Sequence, residues 1–482
     1  MPLQLTPYQM VSIIQNGMNT PRQPKNIVVV GAGMAGLVAA SLLKEAGHQV
    51  KMIEAANRVG GRVLTLRSPF TDGQYIEAGP MRIPSVHYLT LGYIRKFGLP
   101  INPFFNSTPN DILYVNGIKT RLKTYQRNPA MINANLAKNE RGKTFVELLN
   151  FAFQPLYNFI SQDPVRNWSM AIKELNKYSL DTFLRHNPFG DLRAIELAKM
   201  LTATEGLSEL SFLDIFRQFV IFLNPHMRFY EITGGFDRLP RAFLPQLKED
   251  ILFQQEVRKI IQHDNKVIIR SVHTQTAKPF EITGDIAIIT IPFSVLRFVE
   301  VEPYHSFSLN KWKAIRELHY VPSVKMGIQF KNRFWEREGM YGGQTISDLP
   351  VKQTYYPSHG FGEKCGVVLA SYTWEDDAQV WDKMTQEAQI EYGLRDLAKI
   401  HDDGIIQNYV AGAVHSWVQQ PYSAGSFALF KPEQEVELYP SILSPEGRVH
   451  FAGEHASTDR SWIQGAIASG IRVACEVNDL PK

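Results

Sequence analysis

Two cysteines, Cys365 and Cys475, are all the chain of 482 residues contains, with no Cys-X-X-Cys pair. A disulfide framework or a thiolate metal centre is therefore not supported. The 13 histidines are scattered, without His-Glu-X-X-His spacing, and Glu454-His455 alone makes no metal site. A Gly-X-Ser-X-Gly nucleophile elbow is also missing. Charge of one sign is scarce: 51 Lys+Arg face 47 Asp+Glu, a net +4. With no dense basic run interleaved with aromatics, a nucleic-acid partner is not expected, although the small surplus favours anionic substrates. Long hydrophobic runs are lacking too. The longest, Ile27 to Leu43, is broken by Gly31, Gly33 and Gly36 and reads as strand-turn-helix, not as a membrane span. Thr6 to Met18 is short and amphipathic, without the basic-then-apolar order of a signal peptide. The chain stops at Lys482, just after its last helix. The expectation is a soluble, cytoplasmic protein without a membrane anchor.

What is present is globular: 44% hydrophobic and 20% charged residues. The length calls for two or three interleaved domains. Short strands and Pro/Gly-rich loops are expected from about Thr65 to Lys123. Residues 125–231 contain only Gly142, Gly190 and Gly206 and carry helix-spaced apolar sets such as Leu192, Ile195 and Met200. Strand patterns return at Val267–Ile269, at Ile286–Ile291 and at Val449–Glu454, and a helix is expected over Ser461–Val477. A nucleotide-binding fold assembled from the first, middle and last thirds of the chain fits this order.

The opening unit carries the most information. The apolar strand Ile27–Val30 feeds Gly31-Ala32-Gly33-Met34-Ala35-Gly36, a Gly-X-Gly-X-X-Gly turn that starts a helix. Gly31 permits the tight turn, Gly33 lets the backbone approach a pyrophosphate, and Gly36 lets helix and strand pack closely. Alone this fingerprint is weak, because loops that need positive φ also collect glycine. Context adds weight. The second strand, Gln49 to Glu54, ends in a carboxylate placed to accept a ribose hydroxyl, which favours NAD or FAD over NADP. Gly60-Gly61-Arg62 then supplies another close backbone approach and a cation beside the diphosphate, an extension that NAD does not need. Arg58 reads equally well as a surface ion pair or a flavin contact.

The run Glu54 to Arg62 resembles the flavin-containing amine oxidase family, and the resemblance extends in the right motif order from about Pro24 to the end. It implies an α/β fold. A discontinuous Rossmann-like FAD-binding domain would comprise 22–66, 232–312 and 445–482. A mixed α+β substrate-binding domain would comprise 1–21, 67–124 and 313–444, and an inserted helical domain 125–231. FAD is implied as cofactor, held by Gly31, Gly33, Ala35, Gly36, Glu54, Ala55, Arg62, Gly79, Pro80, Met81, Arg82, Val257, Trp417, Gly453, Glu454, Trp462 and Ile467. Gly453-Glu454 matches the pair that holds the ribityl and diphosphate. Trp462 to Ile467 places an aromatic ring before a helix N-terminus that would face the flavin pyrimidine and stabilise negative charge there. Ser426 stands where monoamine oxidases carry the cysteine joined to their flavin, so non-covalent FAD is expected.

Within the family the branch most similar is that of the L-amino acid oxidases, which carry an arginine where this chain has Arg82. Its planar fork matches a carboxylate bidentately. Tyr372 matches the tyrosine that shares that carboxylate, although by itself it reads as a packed strand residue. Lys325, opposite Val324, Met326 and Ile328 on its strand, would by pattern face solvent. The resemblance instead makes it the catalytic lysine that holds a water beside flavin N5. Phe427 would face Trp462 across the substrate channel, with Trp417 nearby. Ser461 replaces a glycine whose carbonyl receives the substrate amine, and Gln218 or a neighbour replaces a mobile histidine of the venom enzymes. The expected partners are an L-amino acid with a large apolar or aromatic side chain, dioxygen, and a second copy of the chain in a homodimer. An amine or polyamine oxidase and a decarboxylating amino-acid monooxygenase are the rival enzymes on this scaffold. A prenylated-GTPase escort protein, without flavin, is the rival of another class.

Overall fold

The computed structural model describes residues 5–21, 23–133, 135–138, 140–186 and 192–480; Gly190 and Lys482, named above, lie outside them. Asn26–Val30 becomes the central strand of a five-stranded parallel sheet. Its spatial order is Ile251–Leu252, Gln49–Ile53, Asn26–Val30, Ile286–Ile289, Val449–Phe451. The strand is buried on both faces, as parallel strands are, and its period of two splits it between two cores. Ile27 and Val29 join the core under the helices Met34–Ala46 and Ile463–Asp479. Val28 and Val30 join Phe293, Phe451 and Ile260 on the other face. The two helices meet at Gly470, where a Cβ would lie 2.6 Å from the Ala35 carbonyl oxygen.

A second, seven-stranded sheet faces the first across the site. Its order is Tyr409–Ser416, Ser323–Phe330, Gly366–Trp374, Gln353–Tyr355, Gln344–Ser347, Ile112–Val115, Ile118–Arg121. Between residues 145 and 222 the described chain forms helices, among them Phe145–Gln162, Leu192–Leu201 and Phe212–Phe222. Thr144 starts the first with a reciprocal capping box to Glu147. The expected end of the helical segment, residue 231, falls inside the strand Phe229–Ile232. That strand pairs with Ile83–Pro84 and Ile101–Phe104 in a separate three-stranded sheet. Among the described residues no helix is long and apolar enough to cross a membrane, and no cluster of His, Cys, Asp and Glu could hold a metal ion.

Candidate active site

A cavity of about 840 Å³ runs from the carboxyl edge of the parallel sheet to the face of the seven-stranded sheet. Its first stretch is the glycine turn. Gly31 has φ +104°, and at Gly36 a Cβ would lie 2.1 Å from the Gly31 carbonyl oxygen, so both positions admit only glycine without rearrangement. Gly36 packs helix to strand, as expected, and does not itself line the cavity. Gly33 is different: a Cβ there would meet nothing within 4 Å. It opens the helix Met34–Ala46, whose N-terminus has no side-chain cap. Uncapped N–H groups and the positive end of the helix dipole thus border open space, which is what a diphosphate requires. Glu54 lines the same end, its oxygens accepting from Ala32 N (2.7 Å) and Ala56 N (2.8 Å). Burial raises its pKa, and those two N–H groups oppose the rise.

Among the described residues Arg58 makes no ion pair. Its guanidinium donates to the carbonyls of Val59, Val63 and Gly61, bracing the Gly60-Gly61 turn while lining the cavity. Arg62 pairs with Glu454 at 2.8 Å and also donates to the Ser426 carbonyl. Glu454 further accepts from Ala428 N (3.0 Å) and Ser461 N (2.9 Å). The carboxylate therefore knots the turn after the second strand, the Ser426 segment and the Ser461 turn into one wall. Ser461 sits at φ +70°, in the left-handed region that glycine enters most easily. Ala35, Ala55, Val257, Gly453 and Trp417 all line the cavity, the last donating its indole N–H to the Ala78 carbonyl at 2.8 Å. Ile467 does not. The first turn of its helix presents Ile463 and Ala466 to the cavity and turns the Ile467 side chain into the core with Ile471.

The other end is built around Gly79-Pro80-Met81-Arg82, all of which line the cavity. Arg82 lies against the rings of Phe222 (4.5 Å) and Tyr355 (5.4 Å). Its Nη1 donates to Asn106 Oδ1 and to the Tyr355 hydroxyl, the latter at 3.1 Å. Among the described residues its Nε and Nη2 have no hydrogen-bond partner, which leaves one edge of the fork open. Tyr372 lies close by: burial raises its pKa, and the charge of Arg82 opposes the rise. Lys325 is 3% exposed, not solvent-facing. Its Nζ donates to the carbonyls of Gly79 (2.6 Å) and Glu77 (3.2 Å) and lies 4.4 Å from the Tyr372 ring centroid. Burial lowers its pKa to about 7, while burial raises that of neighbouring Glu77 to about 8.

Phe427 and Trp462 both line this end. The ring neighbours of Trp462 are His87 (4.7 Å, edge-on) and Phe222 (6.0 Å), and its indole N–H donates to Gln218 Oε1 at 2.8 Å. Gln218 thus fixes the Trp462 ring. Ser426 borders the cavity, and neither cysteine does.

The model of the flavin containing amine oxidoreductase family matches residues 34–478. The chain belongs to this family. It is 53% identical over 473 residues to YobN of Bacillus subtilis (strain 168), whose L-amino-acid oxidase designation is provisional; the match covers 98% of each chain. To the L-amino-acid oxidase of Siganus canaliculatus it is 35% identical over 473 residues, covering 98% of this chain and 88% of that one. A solved putrescine oxidase variant superposes with a TM-score of 0.78 at 17% identity, over 94% of this chain and 98% of the other. The protein is a flavin-dependent oxidoreductase of the amine oxidase fold.

The residues present fit the flavin's dinucleotide: an uncapped helix N-terminus, open space beside Gly33, and the Glu54 carboxylate share one end of the cavity. Sequence reading missed Asn106, Phe222 and Tyr355, which orient Arg82. No local motif marks them, since they approach it from separate elements, Tyr355 from 273 residues away.

Proposed function

We propose that the protein is an L-amino acid oxidase with non-covalently bound FAD, producing a 2-oxo acid, ammonia and hydrogen peroxide. The observation that carries this reading is Arg82: held flat by aromatic neighbours, it keeps its Nε–Nη2 edge free beside Tyr372. A carboxylate is the ligand that matches such a fork, and a simple amine has none to offer. FAD, when bound, would supply the hydride acceptor for the substrate Cα–H and the path for electrons to dioxygen.

The chain's part is positioning and exclusion of water. Arg82 and Tyr372 fix the carboxylate, and the walls formed by Trp462 and Phe427 leave the neutral amine one orientation. The amine must arrive unprotonated, because an ammonium lacks the lone pair that forms the imine. Among the described residues no histidine lines the cavity, and its acids, Glu54, Glu256 and Glu454, lie toward the dinucleotide wall, so proton loss to water is the route the site supports. Lys325 places a titrating amine beside Tyr372, with a role in the reaction with dioxygen. The absence of a thiol from the cavity lining supports the non-covalent cofactor.

The test is the visible spectrum of the purified protein, taken anaerobically with L-phenylalanine, D-phenylalanine and phenethylamine in turn. Bleaching of the oxidised-flavin band by the L-amino acid alone is the expected result. Bleaching by phenethylamine with no response to any L-amino acid would make it an amine oxidase. Products then divide oxidase from decarboxylating monooxygenase: peroxide and a 2-oxo acid for the first, an amide for the second.

A further inference from the structure

Beyond the carboxylate clamp, the seven-stranded sheet turns a row of side chains toward the cavity. Gln353 is the cross-strand partner of Tyr372 on one side and of Ile346 on the other. Gln344 is the partner of Tyr355 in the next row. Directly paired residues share a face and strands stand about 4.8 Å apart, so Gln353 is one strand beyond Tyr372. Both glutamines border the cavity. Gln353 is only 5% exposed, and the side-chain carbonyl oxygens of both are buried without a hydrogen-bond partner. Among the described residues neither side-chain amide makes any hydrogen bond. A buried amide left so costs about 1–3 kcal/mol, and a two-fold terminal torsion lets either end of it turn to a ligand.

The charges nearby set the sign of that ligand. Among the described residues the acids lining the cavity are Glu54, Glu256 and Glu454. Glu54 and Glu454 belong to the dinucleotide wall, and Glu256 follows Gln255, whose N–H donates to the Glu54 carbonyl. None lies on this face of the sheet, whereas the cations Arg82 and Lys325 border it. A lysine or arginine side chain would arrive there uncompensated. An apolar one would leave both amides unpaired.

Resting on the oxidase reading above, we infer that Gln353 and Gln344 form a side-chain subsite for L-amino acids with a long, uncharged side chain ending in a hydrogen-bond donor. Phenol, indole and carboxamide groups qualify. A site built to hydrogen-bond a substrate group rejects the near-isostere that lacks it more strongly than an apolar pocket discriminates by size.

The experiment compares kcat/KM for two near-isosteric pairs, tyrosine with phenylalanine and glutamine with methionine, in the wild-type holoenzyme and in Gln353→Met. In the wild type, tyrosine and glutamine are each expected to exceed their partners by about tenfold or more, and in Gln353→Met both ratios fall about tenfold. A Gln344→Met variant tests the second amide the same way and guards against a misfolded first one. Turnover with ratios near one in the wild type, or ratios unmoved in both variants, overturns this inference alone. If no L-amino acid is turned over while an amine is, the oxidase reading falls and takes the subsite with it.

Discussion

In the role proposed for it, Arg82 would meet substrate with its orientation already settled. Phe222 and Tyr355 hold the guanidinium plane, and Asn106 and Tyr355 occupy one terminal nitrogen. Arg82→Ala strands the substrate carboxylate in a desolvated site, a loss of about 2–5 kcal/mol, or roughly 30- to 5,000-fold in kcat/KM. Arg82→Lys should recover little of it, since an ammonium is a point charge without the fork. Steady-state kinetics on the best amino acid decide, and an unchanged kcat/KM in the alanine variant removes Arg82 from the site. Lys325 gives a second prediction at this scale. Its pKa, lowered by burial to about 7, leaves the ammonium present below that pH and neutral above it. Reduction of dioxygen builds negative charge, so the reduced enzyme's reaction with dioxygen should slow as pH rises through about 7. Lys325→Met should abolish that pH step and slow this half-reaction more than anaerobic reduction by substrate. Rapid-mixing traces at several pH values measure both, and the reverse pattern would sink the role.

Between elements, a buried charge cluster joins the helical segment to the Ser461 turn. Asp214, on the helix Phe212–Phe222, accepts from Arg460 (2.6 Å), Arg217 (2.8 Å) and Phe430 N (2.7 Å). Burial works against its charge, but Arg460 and Arg217 prevail and hold the carboxyl below its ordinary range. Arg460 immediately precedes Ser461 and Trp462, so the cluster fixes a turn that lines the cavity. Asp214→Asn should cost about 3–5 kcal/mol, because fully buried Arg460 keeps, among the described residues, Glu435 as its one carboxylate, at 3.7 Å. Denaturant unfolding should show a lower midpoint, and a midpoint equal to wild type would show the cluster to be dispensable. Such ties also mark where sequence reading stops. The strand-turn-helix at Asn26–Ala46 was legible because its period and its glycines are local. Pattern alone turns Lys325 to solvent, because Val324, Met326 and Ile328 alternate as in a half-exposed strand, and only the resemblance places it in the site; all eight residues of Ser323–Phe330 are buried. The helix Gln386–Ile400 covers that strand on one side, and the Glu77–Gly79 segment meets Lys325 on the other. Burial of the second face is a tertiary fact that no periodicity in the strand can carry. The Ile467 side chain is packed for a related reason: a helix's first turn decides by rotation alone which neighbour lines the cavity.

At the scale of the molecule, the cavity walls come from segments far apart in the chain: the turn at Gly31–Arg62, the strand region near Val257 and Thr290, and the Gly453–Trp462 turn. A ligand spanning them holds together parts that the chain connects only through long excursions. Binding to the folded state alone stabilises by RT ln(1 + [L]/Kd), about 2.7 kcal/mol at a hundredfold excess over Kd. Flavin-stripped protein should therefore unfold at a lower temperature than the same protein reconstituted with FAD. The difference should grow with FAD concentration. Gly36 supplies the control. A methyl group there would lie 2.1 Å from the Gly31 carbonyl oxygen, a backbone atom of the very turn that approaches the diphosphate, so relief requires moving the cradle itself. Gly36→Ala should lose flavin absorbance and, with it, the FAD-dependent gain in unfolding temperature. If Gly36→Ala instead binds flavin with wild-type affinity, the tight turn is not what holds the dinucleotide. A wild-type protein that is fully yellow yet unfolds at the same temperature with and without FAD would mean that the cofactor does not bridge these segments.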